Sequence, residues 1–144
     1  MVKLRLRRKG RIHHPVYDII AVDSRSRRDG AFLDKVGFYD PNTNPNTIRI
    51  DNEKALHWLN VGAQPTDTVG LLLSYEGVLL RRHLTFKGKT QEEIEAEVEK
   101  HKKVVTARYE RRSKLRKERV IAKAKAEAAA KIKAAEEAAA PSGE

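Results

Sequence analysis

Six cationic side chains crowd the first eleven residues: Lys3, Arg5, Arg7, Arg8, Lys9 and Arg11. Lys3, Arg5 and Arg7 alternate with Val2, Leu4 and Leu6, and a period of two sets the cations on one side of a strand and the apolar residues on the other. Alternate side chains of a strand stand roughly 6.6–7 Å apart, close to the spacing of phosphates along a nucleic-acid strand. Such a row can follow a phosphate backbone, releasing counterions as it does, so its binding weakens with salt. The same pattern also suits a merely solvated strand face.

A second basic cluster follows in Asp23-Ser24-Arg25-Ser26-Arg27-Arg28-Asp29-Gly30. The forks of Arg25, Arg27 and Arg28 suit phosphate oxygens, and Ser24 and Ser26 can donate to the same groups. Asp23 and Asp29 are expected to fix the loop by accepting from backbone N–H groups. Gly30 is expected to supply a positive φ. Arg49, set opposite to Ile48 and Ile50, adds another cation. His13, His14 and Tyr17 carry rings that can stack on an unpaired base; structural packing is an equal use for Tyr17.

Other chemistries lack their parts. The absence of cysteine removes disulfides, thiol nucleophiles and Cys-based zinc sites. His13 and His14 point apart on an extended chain, and His57, His83 and His101 show no ligand spacing, so no metal site is expected. Asp23, Asp29, Asp34 and Asp40 would have to converge to hold Mg²⁺ for phosphodiester hydrolysis; scattered over loops beside Arg or Lys, they read as turn formers and ion-pair partners. No Gly-rich phosphate loop or nucleophile elbow is present. The expectation is a protein that is not an enzyme, with no cofactor and no small-molecule substrate.

The elements that must position these cations follow from the rest of the 144 residues, a length suited to one domain. A net charge of +10 points to a polyanionic partner. The chain opens on alternating charge and lacks both a signal-peptide stretch and a run of roughly 18 apolar residues, so a cytoplasmic protein that neither crosses nor coats a membrane is expected. Composition divides it: residues 1–84 hold most of the apolar and turn residues, and residues 85–144 are charged and then alanine-rich. Both parts are basic, with 14 basic against 9 acidic residues before the divide and 16 against 11 after it.

In the first part, a strand over Val2–Lys9 ends at Gly10. A strand over Val16–Val22, opened by Pro15, is apolar enough to be covered on both faces. Short strands over Val36–Tyr39 and Ile48–Ile50 flank the turn Asp40-Pro41-Asn42. Gly10, Pro15, Gly30, Gly37 and Pro41 read as the structural turn residues. Asp51 caps a helix that runs to about Asn60 and stops at Gly62, and Pro65-Thr66-Asp67 opens a second, ended by Gly77. Phe38, Leu56, Trp58, Leu59 and Leu72 are expected in the core. Thr90 and Glu93 form a capping box for a long helix towards Ala140. Its apolar positions are too sparse for a coiled-coil seam, so it reads as solvated or laid on RNA. The fold class is α+β: a small mixed β-sheet with two short helices, plus a long charged and Ala-rich C-terminal helical extension.

Several of these segments together resemble one family. K-L-R-L-R-R-K-G, H-P-V-Y-D-I-I-A-V-D-S-R-S-R-R-D-G and V-G-F-Y-D-P are similar in order and spacing to the bacterial small-subunit ribosomal protein family numbered sixteen. The positions that carry the likeness are Gly10, Pro15, Tyr17, Asp23-Ser24-Arg25, Arg28-Asp29-Gly30, Gly37, Tyr39 and Pro41. The resemblance extends to Leu84. It implies a structural protein of the ribosome that binds 16S ribosomal RNA early in small-subunit assembly, beside neighbouring small-subunit proteins. It does not reach the extension. A general nucleic-acid chaperone or DNA binder, and a metal-dependent nuclease, are the competing readings.

Overall fold

The structure, a computed structural model, describes the backbone of residues 1–139 and the side chains of residues 1–128. Contacts divide the chain into one compact unit over Met1–Lys102 and a second that begins at Lys103.

The first unit is built on strands β1 (Val2–Arg11), β2 (His14–Asp23), β3 (Asp34–Asp40), β4 (Thr47–Ile50) and β5 (Gln64–Pro65). Their order is β4-β3-β2-β1-β5, antiparallel except that β5 runs parallel to β1, so the sheet is mixed as expected. Helices α1 (Asn52–Asn60), α2 (Asp67–Glu76) and α3 (Val78–Phe86) cover one face, and α4 (Gln91–Ala139) follows. The alternation in β1 places Leu4 in the core, with Val2 and Leu6 packed at its margin. In β2, Ile19, Ile20, Ala21 and Val22 are all buried, so both faces of this strand are covered. Ile19, Ala21 and Val36 meet Ala55 and Leu59 of α1 and Val69, Leu72 and Leu73 of α2. Asp51 caps α1 by accepting from the N–H groups of Glu53 and Lys54, which satisfies two of that helix's unpaired donors.

The structure departs from the sequence reading at several punctuation points. Gly10 does not end β1; the strand runs on to Arg11, and the chain reverses at Ile12-His13. Gly10 has φ +87°, and a Cβ there would lie 2.4 Å from the His14 carbonyl oxygen, so the residue permits a tight approach within the hairpin. Gly37 lies inside β3 and is not a turn residue: a Cβ there would fall 2.5 Å from the Arg49 carbonyl oxygen. A register shift between Ile19 and Ile20 leaves Val36 without a partner across β2, a bulge that lets this strand bend over the core. Gly30 is absent from the positive-φ glycines; its N–H instead bonds the Arg27 carbonyl at 3.3 Å. Pro15 sits within β2 opposite Gly10, and Pro41 follows β3 directly.

Among the described residues there are three short helices rather than two. Gly77, at φ +81°, both ends α2 and opens α3, so one left-handed residue makes the bend. Leu84 of α3 is buried with Ile94 and Val98 of α4, and Leu80 packs against them. The first turns of α4 therefore belong to the globular unit. Phe38, expected in the core, is paired with Asp18 and Arg49 on the other face of the sheet.

Candidate nucleic-acid interface

Directly opposed residues of neighbouring strands share a sheet face, so the register defines the surface opposite the core. Across β1 and β2 it sets Lys3 beside Val22, Arg5 beside Ile20, Arg7 beside Asp18, Lys9 beside Val16 and Arg11 beside His14. From β3 come Lys35, next to Ile20, and Phe38; from β4 comes Arg49, next to Phe38. The predicted basic row thus exists and is widened by two strands.

The row does not do one job. Asp18, 2% exposed, is the buried acid of this face. Its carboxylate lies 2.7 Å from the Lys9 ammonium and 2.9 Å from that of Lys35. Burial pushes this carboxyl up, but hydrogen bonds and charge from Lys9 and Lys35 outweigh it and hold the group below its ordinary value. Arg5 reaches over the sheet and donates to the carbonyl oxygens of Ser26 at 3.2 Å and Arg27 at 2.5 Å. It pins the Arg-rich loop down. The loop is also held from within, since Asp23 Oδ1 accepts from the Arg25 N–H at 2.9 Å and the Ser24 N–H bonds the Met1 carbonyl at 2.9 Å. The bond from the Arg25 N–H lowers the Asp23 carboxyl. Asp29 behaves differently from expectation: it accepts from the Arg28 guanidinium at 3.1 Å. The Ser24 hydroxyl lies 3.5 Å from Asp23 Oδ1.

What remains is a set of exposed cations with no hydrogen-bond or ion-pair partner for their charged groups among the described residues: Lys3, Arg11, Arg25, Arg27 and Arg49. Arg7 lies over the Phe32 ring, 5.2 Å from its centroid, which leaves its edge available to an anion. Asp23 and the loop's carbonyls fix its backbone, and the forks of Arg25 and Arg27 stay unspent, while that of Arg28 rests on Asp29. That is the arrangement a phosphate-binding surface requires.

Two predicted contacts lie on the other side of the sheet. Arg8 and Tyr17 oppose one another on the core side of the sheet, beyond the core's end. There the Arg8 guanidinium donates to the Ile12 carbonyl at 3.0 Å, and Tyr17 stacks on Tyr39 with centroids 6.2 Å apart. Tyr17 therefore has a packing role. His13 is exposed at the hairpin tip, and His14 Nδ1 lies 3.3 Å from the side-chain amide of Asn42. Sequence reasoning missed Lys35, Phe32 and Asn42. Lys35 was findable, because a strand begun two residues earlier puts it opposite Val36 by alternation. Phe32 carried no signal, and Asn42 was legible only as part of a turn; its side-chain amide ties the β3–β4 loop to the Pro15 carbonyl at 2.7 Å.

The acids considered for hydrolysis are engaged separately. Asp34 accepts from Lys54 at 2.9 Å and from the Trp58 indole at 3.4 Å, and Asp40 accepts from the Asn42 N–H at 2.9 Å. Among the described residues, no group of three or more His, Asp or Glu side chains gathers at one point, and no helix is long and apolar enough to cross a membrane.

The Asp18 ion pairs make a stability prediction. A carboxyl lowered by folding stabilises the protein above its unfolded value of about 3.9, and that contribution is lost as pH falls through the folded value. Asp18→Asn is expected to lower unfolding stability by about 2 kcal/mol at pH 7, with the gap to the parent closing below about pH 4. Urea unfolding of both chains from pH 7 downward measures this; a gap independent of pH contradicts it.

Comparison with known proteins adds the following. The sequence pattern described as Ribosomal protein S16 matches residues 8–66. The small ribosomal subunit protein bS16 of Prosthecochloris aestuarii is 45% identical over 130 residues, covering 90% of this chain and 96% of the relative. That of Chlorobium phaeobacteroides strain BS1 is 44% identical over 128 residues, covering 89% and 96%. That of Azobacteroides pseudotrichonymphae is 55% identical over 82 residues, covering 57% of this chain and 50% of the relative. The first two alignments are too long to fit within residues 1–84, so the likeness continues into α4, further than the sequence motifs alone reached.

Proposed function

Since the chain belongs to the bS16 family of small ribosomal subunit proteins, a structural and non-enzymatic family whose place is the ribosome, we propose that it binds 16S ribosomal RNA through phosphate contacts and stabilises one RNA fold during subunit assembly. The observation that carries this reading is the set of unpartnered cations on the sheet face and its loop, beside an acid already neutralised by two lysines. Lys3, Arg7, Arg11, Arg25, Arg27, Arg28 and Arg49 are the phosphate ligands, with the Ser24 hydroxyl as a further donor. Arg8 and His13 contact RNA at the hairpin end, and His14 lies beside them. Arg5 and Lys9 act chiefly through the surface they hold together.

Preorganisation is the mechanism. Because Arg5 and Asp23 already fix the loop, binding orders little backbone, and more of the electrostatic attraction appears as affinity. A-form grooves hide base edges from side chains, so recognition rests on the shape of the phosphate surface. The protein favours whichever RNA conformation presents phosphates in that shape, and shifts the RNA population towards it. We assign this binding to residues 1–84, with residues 85–102 covering α3. Neighbouring small-subunit proteins are further partners, and the cytoplasm is the compartment. The test is a salt titration of the affinity for small-subunit RNA, run beside duplex DNA and unstructured RNA of equal length. Preference for the folded RNA supports the reading; equal affinity for all three favours a general nucleic-acid chaperone.

A further inference from the structure

The second unit begins at Lys103, inside α4, which runs unbroken from Gln91 to Ala139. From Lys103 to residue 128 its side chains are exposed, save Val105 and Ser113, which are half-buried. At 3.6 residues per turn, the charges of this stretch sort into two unlike faces. Arg108, Arg112, Arg116, Arg119 and Lys123 follow one another at steps of four, four, three and four residues, and so line one stripe. From Arg108 to Lys123 no acid falls on it; Glu127, one further step of four, does. Lys103, Lys114, Lys117 and Lys125 lie on the opposite side, mixed with Glu110 and Glu118. Four of the five arginines here, joined by Lys123, therefore share a face free of acids as far as Lys123, while Arg111 lies with the lysines and glutamates of the other side.

The apolar residues of this stretch, Val104, Val105, Leu115, Val120 and Ile121, are scattered round the helix and form no continuous face. Nothing there suits a partner helix or a bilayer surface. Aside from a 3.8 Å pair between Lys123 and Glu127, no ion pair engages the stripe among the described residues. Neighbouring cations three or four residues apart on a helix stand about 5–6 Å from one another, a spacing comparable to that of phosphates along a strand. Arginine suits this task because its fork binds phosphate oxygens bidentately. Tyr109, at the edge of the stripe, is the one aromatic residue between Lys103 and residue 128, too few for the successive stacking platforms of single-strand binders.

We propose that the Arg108–Arg112–Arg116–Arg119 stripe is a second RNA-binding surface, which docks on the phosphates of a double-stranded RNA segment apart from the one the sheet face binds. The proposal takes from the family only that a large folded RNA is at hand, and it does not depend on the role of the sheet. It makes the chain bivalent: once the sheet is bound, the helix meets its duplex at high effective concentration, and each contact strengthens the other.

The experiment uses the full chain, with Arg108, Arg112, Arg116 and Arg119 all changed to Gln, and a matched variant with Lys103, Lys114, Lys117 and Lys125 changed to Gln. Gln keeps the helix, since its propensity is close to that of Arg and Lys, and circular dichroism verifies it. Both variants lose the same charge. The arginine variant is expected to bind small-subunit RNA about 10–100-fold more weakly at about 0.15 M salt, with the slope of log affinity against log salt reduced by about 3. It should also lose backbone protection over one duplex while keeping the protections that the sheet face gives. The lysine variant should change affinity by no more than about threefold. Equal losses in the two variants, protection lost only in single strands, or an unchanged affinity and slope for the arginine variant would each overturn the proposal. A sheet-face variant that binds normally while the arginine variant does not would reject the reading of the sheet and leave this one standing.

Discussion

Changing Lys3, Arg11, Arg25, Arg27 and Arg49 together to Ala is expected to weaken binding to small-subunit RNA about 1,000-fold at 0.1 M salt, with the fold intact. Each phosphate contact contributes about 0.7–0.9 to the salt slope, so removing five should flatten it by about 4. The fold is spared because these charged groups have no partner inside the protein among the described residues. Changing Arg5 instead should harm both properties, because its guanidinium holds the Ser26 and Arg27 carbonyls. Filter binding together with thermal unfolding separates the two effects. A quintuple variant that binds as the parent does would remove the sheet face from the account.

Gly37→Val is the substitution expected to cost most stability, about 3 kcal/mol or more. The added Cβ alone would fall 2.5 Å from the Arg49 carbonyl oxygen and 3.2 Å from the Ile50 Cα, both backbone atoms that cannot rotate away. Relief requires β4 to move off β3, which displaces Arg49 from the basic face and Ile48 and Ile50 from the core margin. The variant should therefore lose RNA affinity as well. Gly70→Ala in α2 is the control: a Cβ there meets nothing within 4 Å, so the helix should gain up to about 1 kcal/mol. Urea unfolding compares the two. A Gly37→Val chain as stable as the parent would mean that the β3–β4 approach is not tight.

These two glycines show what sequence reading can and cannot reach. Alternation in Val2–Arg7 exposed the two faces of β1, and the apolar run before Asp23 announced a strand covered on both sides. Asp51 and Gly77 were legible as helix boundaries because capping is local chemistry. Gly37 was misread as a turn residue because its constraint comes from Arg49 and Ile50, on a strand that no local pattern places beside it. Likewise α3 was hidden: its burial of Leu84 depends on Ile94 and Val98 across the Lys87–Thr90 connection. The basic row was legible as a row of charges, yet the division of labour within it was not. Arg5 and Lys9 look like Lys3 and Arg11 in the sequence; only the three-dimensional positions of Asp18 and the loop carbonyls assign two of them to holding the surface and leave the others to meet an anion.

The central claim is that a preformed cationic face neutralises several phosphates of a folded RNA, and the salt dependence of the parent chain's affinity for small-subunit RNA tests it most directly. With at least five unpartnered cations on the face, log affinity should fall linearly with log salt at a slope of about −4 or steeper. A slope near zero, with measurable binding throughout, would contradict the claim, because attraction that ignores salt does not come from phosphate neutralisation.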